Sequence, residues 1–234
     1  MIKIHDKSVR GRTRGGLLDS YHTFSFGGFS DPSRMGFGSL RVINEDTVIP
    51  GGGFAPHDHA DMDILTLVLD GHLRHEDDQG NVATIAAGEI QGMSAGAGVR
   101  HSEFNASDAA SARFLQIWLI PDETGGTPSY HQAEVPSSGD VLLAGPSESA
   151  PLIPLRSRAT LMLRRFGDGE RLDLPADPGV DRFVHILDGL ARAESERVSA
   201  GDGLQIPGGE GTELIWATEG AALVFDMPKG RVLS

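Results

Sequence analysis

LVLDG spans Leu67 to Gly71 and HILDG spans His185 to Gly189. Each is a run of strand formers that stops at Asp-Gly, the dipeptide that most readily turns a chain at the end of a strand. Working outward from this pair, IAAGEIQGMSAG (Ile85 to Gly96) is echoed by VSAGDGLQIPGG (Val198 to Gly209), and LQIWLIP (Leu115 to Pro121) by ALVFDMP (Ala222 to Pro228). Three echoes in one order argue for an internal duplication. Their offsets fall from 118 (71 to 189) through 113 (88 to 201) to 107 (121 to 228), as loop deletions in the second copy would produce.

Local patterning agrees with a β reading. DILTLVL (Asp63 to Leu69), ATIAAGEIQGM (Ala83 to Met93) and ARFLQIWLIP (Ala112 to Pro121) are apolar segments bounded by Gly, Pro, Asp or Ser, and no 3.6-residue period is sustained over three turns. The 31 glycines among 234 residues, with 13 prolines, supply many tight turns. The chain is therefore read as all-β, two tandem antiparallel barrels of the jelly-roll type joined by short turns or helices. The first is expected over residues 1–130 and the second over 131–234, with a Pro/Gly/Ser-rich connector at about 124–154.

Composition removes several chemistries. With no cysteine, disulfides, thiolate metal sites, iron–sulfur clusters and thiol nucleophiles are excluded, so any metal must be held by His and carboxylate. A formal charge of −13 disfavours direct nucleic-acid binding and would favour a basic protein partner, and Arg164-Arg165 is too short to make a nucleic-acid patch. No run reaches membrane-spanning length and the N-terminal MIKIHDKSVRGR lacks the apolar core of a signal peptide, which places the expected location in the cytoplasm.

Within FAPHDHADMD (Phe54 to Asp63), His57 and His59 are two apart, as are His101 and Glu103 further on. Residues i and i+2 of a strand project from one face, about 6.6 Å apart, so each pair can aim both donors at one point. If the two strands are neighbours, three imidazoles and one carboxylate converge. Gly51 to Gly53 before the first pair and Gly96 and Gly98 before the second let the backbone turn sharply into the barrel, and Pro56 fixes the approach to His57. Such an N/O donor set admits iron, manganese, cobalt, nickel, copper or zinc. Four protein ligands leave about two octahedral positions open, which suits Fe(II). Asp58, Asp61 and Asp63 are candidates to orient the imidazoles.

HxHxxxD from His57 to Asp63 and GxGxxHxxxN from Gly96 to Asn105 resemble the two cupin motifs. Together with YHTFSF (Tyr21 to Phe26), DPSRMGFGSLRVINEDTV (Asp31 to Val48), GFAPHDHADMDILTLVLDG (Gly53 to Gly71), MSAGAGVRHSEFN (Met93 to Asn105) and LQIWLIP, they resemble the pirin family, especially its bacterial members. The resemblance implies a bicupin in which only the N-terminal barrel binds metal, commonly iron, on the positions of His57, His59, His101 and Glu103. It further implies a quercetin 2,3-dioxygenase type of reaction, in which a flavonol and O2 give ring cleavage and CO, with Glu103 as ligand and acceptor of the 3-hydroxyl proton. The family also contains non-catalytic iron-dependent regulators and transcription cofactors, which act on protein partners; a metal-stabilised β protein without turnover is a third reading. Two departures stand out: Asp63 replaces the usual Glu, which puts an outer contact of the site in question, and Ala86 replaces the usual Pro of the second cupin motif.

The offsets map His57 and His59 onto Pro175 and Asp177, and His101 and Glu103 onto Leu214 and Trp216, so the second barrel is expected to hold no metal. Phe24, Phe26, Phe37, Met93 and Phe104 are candidates to line a flavonol pocket, with core packing as their default role. His72 and His75 are expected at the surface. His5, His131 and His185 fall outside any paired spacing, and His22 is expected to be structural or pocket-lining.

Overall fold

A computed structural model of the chain describes residues 1–230. It contains 22 strands and two one-turn 3-10 helices, Lys7–Val9 and Ser147–Ser149, with no α-helix among the described residues. Each expected strand segment is present. The 63–69 run is the strand Asp63–Asp70, the 112–121 run is Ala112–Leu119, and the 83–93 run folds into a hairpin of Val82–Ala86 and Glu89–Ser94.

The strands form two seven-stranded and two four-stranded sheets, one of each per barrel. In the first barrel the central order is Glu89–Ser94, Asp63–Asp70, Ala112–Leu119, Leu40–Val48, faced by Gly53–His59, Val99–Asn105, His72–Asp77, Val82–Ala86. In the second it is Gly203–Ile206, Val180–Asp188, Gly220–Pro228, Thr160–Phe166, faced by Arg171–Leu174, Thr212–Trp216, Leu190–Ala193, Glu196–Ser199. The pairing order is the same, which is the duplication seen in the sequence. Gly71 and Gly189, which end the two LDG echoes, have φ of 74° and 81°. A Cβ on either would lie 2.6 or 2.5 Å from the carbonyl oxygen of Ser111 or Glu219, so both turns require glycine.

Alternation along the strands divides two kinds of interior. Leu65 and Leu67 of Asp63–Asp70, with Ile43, Leu115 and Ile117, pack against Leu161, Leu163, Phe183, Leu223 and Phe225 in one continuous core between the barrels. At about 1.5–3 kcal/mol per buried aliphatic or aromatic side chain, this shared core holds the barrels as one body. The opposite faces line the barrels themselves. The second barrel is filled with hydrocarbon, including Leu174, Val184, Ile186, Leu204, Leu214 and Trp216, whose indole stacks on Phe166 at 3.8 Å. The first barrel holds only small apolar clusters around Val68 and Phe114 and around Ile64 and Met93. Buried Asn44, Asp46, Thr66, His75, Gln91, His101, Glu103 and Gln116 take much of its remaining interior.

The two halves exchange their outer strands. The expected boundary at residue 130 passes through the strand Ser129–Glu134, which pairs with Glu89–Ser94 of the first barrel. At the other end of the chain Lys3–His5 pairs with Gly203–Ile206 of the second. Each exchanged strand covers a sheet edge that would otherwise be open. The connector expected at 124–154 is largely structured, since it contains Ser129–Glu134 and Val141–Pro146 and reaches into Ile153–Leu155; its Pro/Gly/Ser clusters mark the bends between these strands.

Asp63 also belongs to the junction. It is buried, accepts a hydrogen bond from Ser94 Oγ at 2.6 Å and from the backbone N–H of Arg156 and Ser157 at 3.0 and 2.8 Å, and so ties the first barrel to the second. It shares the parity of Leu65 and Leu67 and faces the junction, which corrects the expectation that it contacts the candidate site.

Candidate metal centre

Val99–Asn105 lies between the strands that matter, pairing with Gly53–His59 on one side and His72–Asp77 on the other. His101 sits opposite His57, and Val99 opposite His59. The ring centroids of His57, His59 and His101 are 4.5 to 5.0 Å apart, and one nitrogen of each lies within 4.8 Å of the others. His57 and His59 are part-exposed while His101 is buried, so the trio opens towards solvent.

The register that makes this meeting possible depends on a bulge. Between His101↔His57 and Glu103↔Phe54 the Gly53–His59 strand spends one extra residue. Pro56 lies in that irregular stretch on a sheet edge, where its missing N–H breaks no ladder. Gly53 is indispensable, because its φ is +154° and a Cβ there would sit 2.2 Å from the carbonyl oxygen of Glu103.

Nitrogen roles follow from the neighbours. His57 Nδ1 is 2.8 Å from the carbonyl oxygen of Ala55, which can only accept, so Nδ1 carries the proton and Nε2 keeps its lone pair. That Nε2 faces His101 Nε2 at 3.1 Å. Two nitrogens bound to one ion at about 2.1 Å are about 3.0 Å apart at a right angle and about 3.4 Å apart at the tetrahedral angle, so the spacing fits a shared cation. Burial, reinforced by the other histidines, lowers the His59 pKa to about 4 and that of His101 to about 3, which keeps both rings neutral as ligands must be.

Glu103 is placed differently from the expectation of four donors around one point. Its carboxylate is fully buried and accepts hydrogen bonds from Gln91 Nε2 at 2.7 Å, Thr66 Oγ1 at 3.2 Å and Gln116 Nε2. It forms a compact group with His101 and His75 rather than with the full trio. Burial pushes its pKa up to about 7, partly offset by these three donors.

His75, expected at the surface, is buried on the inner face beside His101, with Nε2 3.1 Å from Asp77 Oδ2 and its ring 4.8 Å from that of Tyr130. The pattern HLRHED held the signal, since His75 shares the parity of the wholly buried Leu73 whereas His72 is exposed. Thr66, Gln91, Gln116 and Tyr130 had no local signal; they come from four other strands that register alone brings to Glu103. Tyr130 donates its hydroxyl to Gln91 Oε1 at 3.0 Å, which turns the Gln91 amide nitrogen towards Glu103.

Of the other candidates, Asp58 is exposed and pairs with Arg100, while Asp61 accepts from the Gly125 N–H; both point away from the imidazoles. Phe24 and Phe37 pack in the core between the barrels, Met93 lies in a small cluster of the first barrel, and Phe104 is exposed. Phe26 packs edge-on to Trp118, whose indole in turn meets His59 at 4.9 Å and whose buried N–H has no partner among the described residues. His22 is buried and structural, bonded to Asn44 at 2.8 Å and Thr13 at 2.9 Å.

Strand pairing revises the correspondence in the second barrel. Glu103 lies across from His75, four residues after Gly71, and Leu214 lies across from Ala193, four residues after Gly189. Leu214 is therefore the counterpart of Glu103, Thr212 that of His101, and Leu174, paired with Thr212, that of His57. The sequence offsets miss these positions by one or two residues: the stretch from Gly88 to Glu103 is 15 residues and that from Gly201 to Leu214 is 13, and the bulge at His57 has no equivalent between Arg171–Leu174 and Thr212–Trp216. None of these three side chains is suited to ligate a transition metal.

Known proteins carry the same architecture. The pirin family matches residues 5–119, and the quercetinase C-terminal cupin domain matches residues 142–227. A protein of Escherichia coli K12 named quercetin 2,3-dioxygenase is 36% identical over 97% of this chain and 99% of its own length. A pirin-like protein of Caulobacter vibrioides is 37% identical over 90% of this chain and 92% of its own. Two crystal structures of YhhW from Escherichia coli, one of them a complex with nickel(II), superpose with TM-scores of 0.94 and 0.93 at 35% identity, over 99% and 98% of this chain and the whole of theirs. With these identities over nearly its full length and a bicupin fold, the chain belongs to the pirin family.

Proposed function

We propose that the first barrel binds one divalent transition metal through His57, His59 and His101, with Glu103 as the fourth ligand, and that the protein is a dioxygenase of the quercetin 2,3-dioxygenase type. The observation that carries this reading is the convergence of three imidazoles, those of His57, His59 and His101, at a mouth open to solvent. The name of the Escherichia coli relative and the nickel(II) complex of YhhW support it. Iron(II) is the metal we favour, because an N/O donor set with open positions suits it.

When bound, the metal would supply Lewis acidity towards the flavonol oxygens and a route for electrons between the electron-rich ring and O2. The chain's own residues do the rest. Trp118, edge-on to Phe26, offers an apolar wall beside His59. Glu103 lies beside His101 and is the carboxylate placed to accept the flavonol 3-hydroxyl proton, and Gln91, Gln116 and Thr66 hold it in position.

Anaerobic loading with Fe(II), followed by quercetin and air, tests the proposal. One CO released per O2 consumed is expected, with none from His57→Ala or His101→Ala protein. Loaded protein that leaves quercetin and O2 untouched would contradict it and favour the non-catalytic regulator.

A further inference from the structure

A chain of hydrogen-bonding groups runs from His101 away from the histidine trio. His101 Nε2 faces His57, and its other nitrogen, Nδ1, is 3.4 Å from His75 Nδ1. His75 Nε2 is 3.1 Å from Asp77 Oδ2. Asp77 also accepts from the backbone N–H of Gln79 at 3.0 Å and of Asn81 at 2.9 Å, and from Asn81 Nδ2 at 2.8 Å. With four donors aimed at its two oxygens, this carboxylate has no place for a proton and acts as an acceptor only.

Every proton along the chain is then determined. Asp77 accepts, so His75 Nε2 carries the hydrogen. A neutral His75 therefore presents a lone pair on Nδ1, and the hydrogen between the two rings belongs to His101 Nδ1. His101 is left with a bare Nε2, aimed at the bare Nε2 of His57. Tyr130, against the face of His75, holds the second ring in place.

We propose that His75 and Asp77 are positioning residues that lock His101 in its metal-binding tautomer and orientation. Buried partners of this kind make the ligand more basic and typically contribute 10- to 100-fold to metal affinity. The inference rests on the proposed role of His101 as a ligand, and it assigns a role to two residues outside the expected set of four.

Asp77→Asn separates this role from packing. The Asn oxygen can keep the backbone N–H bonds of Gln79 and Asn81, while its amide nitrogen gives up the bond from Asn81 Nδ2 and donates to His75 Nε2. That forces the hydrogen onto His75 Nδ1, then onto His101 Nε2, where it blocks the lone pair. His75→Phe keeps a ring against Tyr130 but removes the acceptor, and His75→Gln can restore one.

Co(II) titration against a competing chelating dye, with the Co(II) visible spectrum recorded at saturation, reads the outcome. Asp77→Asn and His75→Phe are expected to bind 10- to 100-fold more weakly than wild type, still one ion per chain with an unchanged saturated spectrum, and His75→Gln to recover part of the loss. Wild-type affinity in Asp77→Asn would overturn the proposal. So would a changed spectrum or lost stoichiometry in His75→Phe, which would make His75 a ligand in the group it forms with His101 and Glu103. Equal binding by wild type and His57→Ala would instead refute the underlying metal site.

Discussion

Two carboxyls of the first barrel, Glu103 and Asp46, are buried so deeply that their pKa values rise to about 7. For Glu103 the burial bears on the proposed role as proton acceptor. Glu103→Gln keeps the shape of the side chain but cannot take a proton, so kcat on quercetin should fall by about 10²- to 10⁴-fold, while metal analysis should find the ion retained. For Asp46 the consequence is a pH-dependent stability. Its folded pKa lies above the unfolded value of about 3.9, so its contribution is complete below about pH 4 and is lost as pH rises through 7. Asp46→Asn should therefore gain on wild type between pH 4 and 8, by on the order of 2–4 kcal/mol, in urea melts of apoprotein. A difference that stays flat with pH would contradict this. The HxH and HxE pairs were legible in the sequence because period-two alternation is a local property. The partners of Glu103 were not, since Thr66, Gln91, Gln116 and Tyr130 carry no mark of their destination.

At the scale of the strand, the site depends on one irregularity. The bulge before His57 lets the Gly53–His59 edge deliver two imidazoles to the face of Val99–Asn105, and Gly53 touches the backbone of that neighbour too closely for any side chain. Gly53→Ala should destabilise the protein by more than about 2 kcal/mol and weaken metal binding, read by thermal melting and Co(II) titration. A variant with wild-type values in both would contradict the role given to the bulge. The glycine runs were visible in the sequence, and so was their meaning as sharp turns. Which face of HLRHED turned inward was legible only through the parity of Leu73, and His75 was misplaced because its polarity outweighed that pattern.

Across the whole molecule, duplication gave two barrels with one pairing order and two different interiors. The second is packed with hydrocarbon and joined to the first through a continuous apolar core, with Asp63 bridging to the Arg156 and Ser157 amides. Asp63→Ala leaves two buried N–H donors unpaired and should cost about 2–4 kcal/mol in urea denaturation; a loss under about 0.5 kcal/mol would remove Asp63 from the junction. The echoes LVLDG and HILDG made the two-barrel plan readable, whereas the exchange of outer strands was hidden because Lys3–His5 and Ser129–Glu134 are short and polar. The account turns on metal content. After loading with Fe(II) or Co(II) and desalting, elemental analysis should find one ion per chain in wild type and none in a His57→Ala, His101→Ala double variant. One ion per chain retained by that variant, or two in the wild type, would contradict a single centre on the histidine trio.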